Sequence, residues 1–96
     1  MTTKLRRAEE RGRAVVVPRS LRLAEELVRN GERNPESIRT RMVTEIESAP
    51  EVHVQYIAFL ADGTLTPVDR IDGPTTIALA AIIGKTRLID NTLVSR

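Results

Sequence analysis

Residues 82–91 read IIGKTRLIDN, a Gly-Lys-Thr run followed closely by an Asp-Asn pair. Gly-Lys-Thr ends the loop that grips nucleotide phosphates, where backbone N–H groups cradle the oxygens and the lysine neutralises them. That loop requires a second glycine five positions earlier, a strand ahead and a helix behind. Leu79 stands where the glycine is needed, and the residues that follow, RLIDNTLV, are patterned as a strand. No helix N-terminus is offered to an anion, so the nucleotide loop is rejected. Lys85 and Arg87 remain as cations to weigh, and Asp90 and Asn91 as polar residues in an apolar run. The ordinary role for such a pair is to tie a neighbouring loop through its backbone groups. Contact with a ligand or with another domain is the alternative.

Little else in the chain could do chemistry. It has no cysteine and one histidine, His53 in EVHVQY. A single imidazole builds neither a metal cluster nor a nucleophile–base pair, so His53 reads as an ordinary strand residue. No catalytic, metal-binding or cofactor-binding residue is assigned, and the chain alone is expected to be inactive.

The elements that must position these residues are those of one small domain. The 96 residues are 41% hydrophobic and 29% charged, as in a soluble globular protein. No apolar run approaches the roughly 18–20 residues of a membrane helix, and the charged N-terminus has no signal-peptide core. The net charge of +2 is unevenly spread, with Lys and Arg concentrated in the first half. Such asymmetry marks either a nucleic-acid face or the solvated side of a helix. One Tyr and one Phe leave little to stack on bases, which argues against nucleic acid as a partner.

From Ala8 to Asn30 the apolar residues Ala14, Val17, Leu21, Ala24 and Val28 recur at helical spacing, with Leu27 widening the stripe. Gly31 is the expected C-terminal stop. Pro18 predicts either a kink or a helix that truly begins near it, with residues 8–17 as a separate turn. A second helix opens at Asn34-Pro35, buries Ile38, Met42 and Ile46 with Val43 beside them, and ends before Pro50. VHVQYIAFLA (52–61) then reads as a strand. Residues 62–74 form a loop with a short extended piece around Leu65. TTIALAAIIG and TRLIDNTLV complete a hairpin.

Gly84-Lys85 suits a two-residue type II′ turn. The register then sets Leu79 opposite Asp90, Ala81 opposite Leu88, Ala80 opposite Ile89 and Ala78 opposite Asn91. Both faces of the hairpin are apolar, whereas a half-exposed sheet should alternate. The fold class is α+β: two antiparallel helices on a small, mainly antiparallel three-stranded sheet, in the chain order αα-βββ. The helices cover one face; the other is expected to need a partner outside these residues.

This order of pieces, ending in GKTRLIDN, resembles the C-terminal domain of the pantothenate synthetase (pantoate–β-alanine ligase) family. The resemblance runs from Ala8 to Val94. AEERGRA is similar to the family's opening helix, which follows an active-site Ser-Ser-Arg-Asn segment. NGERNPESIR is similar to its inter-helix link, and VHVQYIAFLADGTLTPVDRIDGP to its strand and loop, with a tyrosine at the place of Tyr56. GKTRLIDN is the most specific piece. TTKLRR departs from the usual lead-in, and Pro18 stands where many members have Tyr.

The resemblance implies residues 1–7 as a hinge lead-in or a vector-derived stretch, and 8–96 as a lid domain. It implies an N-terminal nucleotidyl-transferase domain as partner. There ATP, with Mg, and pantoate form a pantoyl-adenylate, and β-alanine displaces AMP to give pantothenate, in the cytoplasmic route to coenzyme A. The family's His-x-Gly-His and Lys-Met-Ser-like motifs lie in that domain, and neither occurs here. Lys85, Arg87, Asp90 and Asn91 are the candidates for lid or interdomain contact. Two other classes stay open: a stand-alone basic module using Arg6, Arg7, Arg11, Arg13 and Arg19, and a homo-oligomer formed through the uncovered face or an exposed strand edge.

Overall fold

A computed structural model of the chain describes residues 15–95. Helix α1 spans Val16–Arg29 and α2 Pro35–Glu47; strands β1 (Val52–Ala61), β2 (Thr75–Ile83) and β3 (Thr86–Val94) follow. The sheet order is β1-β2-β3, and both pairings are antiparallel. The expected α+β class and element order are thus the ones observed.

Pro18 falls in the first turn of α1. The first four N–H groups of a helix have no intrahelical partner, so its missing donor costs nothing there. Of the stripe expected on this helix, Val17, Leu21, Ala24 and Val28 are buried, while Ala14 lies outside the described residues. The C-terminus closes as a Schellman motif. Glu32 N–H donates to Leu27 O at 2.9 Å and Gly31 N–H to Val28 O at 3.1 Å, with Gly31 at φ 107. Asn34 caps α2 by accepting from Glu36 N–H at 3.0 Å, and Pro35 occupies the first turn. Ile38, Met42 and Ile46 are fully buried. Arg19 Nε and Glu45 Oε1, 3.9 Å apart, bridge the two antiparallel helices.

The helices lie on one face of the sheet, α1 against β2 and β3 and α2 against β1. The core gathers Val52, Ile57 and Phe59 of β1, the odd-numbered residues of β2 from Ile77 to Ile83, and Val94. An irregularity between Val54 and Tyr56 leaves Gln55 without a partner on β2. This β-bulge switches the alternation, so Val52 and Val54 precede it on the core face and Ile57 and Phe59 follow it there.

One expectation for the loop is corrected. Leu65 is not extended: its φ is 58, and its side chain is 62% exposed. The extended contact falls two residues later, where Pro67 pairs with Leu60. Leu65 N–H donates to Ala61 O and Ala61 N–H to Thr66 O, both at 2.8 Å, so the chain must turn through a left-handed residue before it can run back beside β1. Further along the loop, Ile71 is fully buried in the core, anchored by its N–H on Arg33 O at 2.9 Å. Among the described residues, no helix is long and apolar enough to cross a membrane.

Candidate functional site

The hairpin places the four candidate residues. Gly84 has φ 58 and Lys85 has no positive φ, the combination a type II′ turn requires. The β2–β3 register is the expected one at every pair, from Ile83 opposite Thr86 to Ala78 opposite Asn91. Because successive strand residues face opposite ways, Asp90 and Asn91 are separated by the sheet. Asp90, opposite Leu79, lies on the helix-covered face and is half-buried; Asn91 lies on the outer face and is exposed.

Asp90 does not tie down a loop. Its Oδ1 accepts from the backbone N–H of Asn91, the next residue, at 2.8 Å. A side-chain hydrogen bond from β3 to the helices is made instead by Thr92, whose hydroxyl donates to Glu25 Oε2 of α1 at 2.7 Å. Lys85 sits in the turn and Arg87 beside it, both exposed. The structure therefore groups Lys85 and Arg87 at the hairpin end, puts Asn91 further along the same outer face as Arg87, and sets Asp90 apart from all three.

The outer face is the surface left open by the helices. In register across the sheet, Tyr56, Ala80 and Ile89 form one row, and Leu60, Thr76 and Leu93 another. Ile89 is 61% exposed, Leu93 57% and Tyr56 42%. Ala80 is fully buried yet stands outside the core cluster, because it lies between the larger Tyr56 and Ile89. His53, Ile82 and Arg87 make the row nearest the turn, so His53 is an exposed strand residue. Contiguous apolar surface of this kind marks an interaction site more often than an ordinary exterior.

The two sheet edges differ. Along β1, Glu47 Oε2 accepts from Val54 N–H at 3.2 Å, and Ile57 O accepts from Arg39 Nε and Nη2 at 3.3 and 3.1 Å. Phe59 O and Ala61 N–H are taken by Val68 and Thr66 of the loop. Helix α2 and the loop thus cover this edge, which blunts it against pairing with another chain. Neither packs along β3. Sequence reasoning missed this arrangement, since nothing near Arg39 or Glu47 in the chain announces a strand edge to come.

Of the arginines of the basic-module alternative, Arg6, Arg7, Arg11 and Arg13 lie outside the described residues, and Arg19 is engaged by Glu45. No group of three or more His, Asp or Glu side chains among the described residues could hold a metal ion.

Comparison with known proteins agrees with the fold. The family model described as pantoate-beta-alanine ligase matches residues 3–93. The pantothenate synthetase of Pseudothermotoga lettingae is 41% identical over 86 residues, which cover 90% of this chain and 31% of that protein. That of Syntrophomonas wolfei is 43% identical, with 90% and 30% covered. Among solved structures, the pantothenate synthetase of Thermus thermophilus superposes with a TM-score of 0.77 at 27% identity, over 88% of this chain and 30% of that one. The chain thus spans about a third of the length of the relatives it matches.

Proposed function

Because this chain belongs to the pantoate–β-alanine ligase family, as its C-terminal domain, we propose that it acts as the lid over the active site of a preceding catalytic domain. The observation that carries this reading is coverage: nine-tenths of the chain matches less than a third of each relative, so the bulk of the enzyme lies elsewhere. The proposed whole-protein reaction joins pantoate to β-alanine at the expense of ATP, through a pantoyl-adenylate. ATP and its Mg2+, which would neutralise the phosphates, belong in this reading to the preceding domain.

A lid serves such a reaction physically. An acyl-adenylate is lost to water if the site stays wet, and a closing domain expels water and completes the pocket. A cover needs a firm scaffold and a surface to present, not a nucleophile. Two helices locked on one sheet face supply the first, and the uncovered face supplies the second. Lys85 and Arg87, at the exposed hairpin end, are proposed to face the ligand's negative charge, with Asn91 in the same surface; Asp90 is proposed to hold the local strand backbone. The enzyme is proposed to be cytoplasmic.

The test is direct. The full-length protein, given pantoate, β-alanine, ATP and Mg2+, should form pantothenate and AMP in equal amounts, and the 96-residue chain should form neither. A full-length protein that releases AMP but no pantothenate would disprove the assignment of the amine step.

A further inference from the structure

We infer that the free edge of β3 is a strand-pairing surface for a second copy of this chain, and that the Asp90 carboxylate holds it closed. The inference concerns the domain's own association and does not rest on the lid reading.

The edge follows from the hairpin. Residues that flank a two-residue turn form a hydrogen-bonded pair, here Ile83 and Thr86, and the pairs alternate from there. Leu88, Asp90 and Thr92 therefore turn their N–H and C=O groups toward β2, whereas Arg87, Ile89, Asn91 and Leu93 turn theirs outward. The β1 edge is closed by Arg39, Glu47 and the loop. Among the described residues, no backbone group outside the sheet bonds the outward groups of β3. An open strand rich in Ile, Leu and Thr is a template for another strand.

Three properties of Asp90 oppose that pairing. Its Oδ1 accepts from Asn91 N–H at 2.8 Å, so a central donor of the edge is already taken. Its side chain also points to the helix-covered face, where it is half-buried and no Lys or Arg among the described residues pairs with it. A strand laid against β3 buries this charge further without a counter-charge, which is costly. An inward-pointing charge is one of the ways in which sheets blunt an edge.

The third property is symmetry. Two antiparallel copies of β3 overlap most fully when centred on residue 90, with Ile89 opposite Asn91 of the second copy and Arg87 opposite its Leu93. That register uses every outward residue of both strands. It also joins Ile89 and Leu93 of the two sheets into one apolar face, which is why a second copy is the strand that fits. Asp90 then stands opposite Asp90 of the second copy. This is a non-hydrogen-bonded pair, where side chains come closest, and like charges directly opposed repel.

Sedimentation velocity on the 96-residue chain tests the inference. Asp90→Val supplies a strand former with neither charge nor acceptor. It should dimerise at a concentration lower than the parent's by on the order of tenfold or more, as the opposed charges and the blocked donors are relieved together. The amides of Ile89 and Leu93 should be protected from hydrogen exchange in the dimer and unprotected in the parent. Adding Asn91→Pro checks the edge: it removes an outward N–H and leaves the β2 ladder intact, so the double variant should behave as the parent does. Ile89 and Leu93 remain in that variant, so association through the outer face would survive it. Where Asp90→Val fails to fold by circular dichroism, Asp90→Asn keeps the shape, removes the repulsion and is held to the same criteria. A folded neutral variant no more associated than the parent overturns the inference. So does a dimer in which the Ile89 and Leu93 amides stay unprotected, association that survives Asn91→Pro, or a parent already paired through β3.

Discussion

Thr92 and Glu25, 67 positions apart in the chain, are joined by a 2.7 Å hydrogen bond from hydroxyl to carboxylate. It fixes β3 to α1 on the half-buried margin of the core, where the acceptor has limited access to water. Thr92→Val keeps the branched shape and removes the donor. Bonds to charged groups contribute more than neutral ones, and partial exposure lowers the figure, so a loss of about 1–2 kcal/mol is expected. Urea denaturation should show a lower midpoint with an unchanged slope. An unaltered midpoint would show that water replaces the hydroxyl at no cost.

Arg39 performs two tasks at the opposite edge. Its Nε and Nη2 donate to Ile57 O, and its guanidinium lies 5.3 Å from the centre of the Phe59 ring. Glu36 pairs with the same group from one turn earlier in α2. Arg39→Met keeps the stem and loses the fork, and about 1–2 kcal/mol of stability should go with it. Arg39→Lys should recover only part of this, because an ammonium cannot reproduce the planar two-nitrogen contact. The same denaturation experiment separates the three proteins; a lysine variant as stable as the parent would reduce the contact to simple charge.

These two residues also mark what the sequence made legible and what it did not. Local rules carried far: helical spacing found Val17, Leu21, Ala24 and Val28, and one turn type set the whole β2–β3 register. Contacts between distant segments were not legible. Arg39 reads as a solvated helix position until β1 is laid beside it. The bulge at Gln55 has no local signature, and without it the parity of β1 cannot be assigned along its whole length. Ile71 looks like a loop residue because its burial depends on a return path set by Leu65 and Arg33. For the candidate residues, strand alternation separated Asp90 from Asn91, but their adjacency in sequence concealed it.

Leu65 holds φ at 58 with an exposed side chain, so its conformation is not offset by burial within this domain. A left-handed backbone costs a residue with a Cβ about 1–2 kcal/mol, and asparagine tolerates it better. Leu65→Asn should therefore raise the stability of the chain, by up to about 1 kcal/mol, seen as a higher melting temperature. A lower melting temperature would mean that the leucine side chain contributes more than its exposure indicates.

The proposed lid role makes Lys85 and Arg87 testable through nucleotide binding by the full-length protein. Both stand at the hairpin end, and both are exposed. A cation that meets ATP only when the lid closes should act on nucleotide binding through a screened field. Arg87→Ala and Lys85→Ala should each raise the KM for ATP about 2- to 5-fold at low salt, the size of exposed charge interactions. The effect should shrink as ionic strength rises and the Debye length falls to a few ångströms. The KM for β-alanine, which carries no net charge in neutral solution, should move less. Steady-state kinetics at low and high salt distinguish the cases. A change that persists in high salt points to a direct contact rather than a field, and no change in either variant removes both residues from the nucleotide's surroundings, leaving the hairpin end as a purely structural turn.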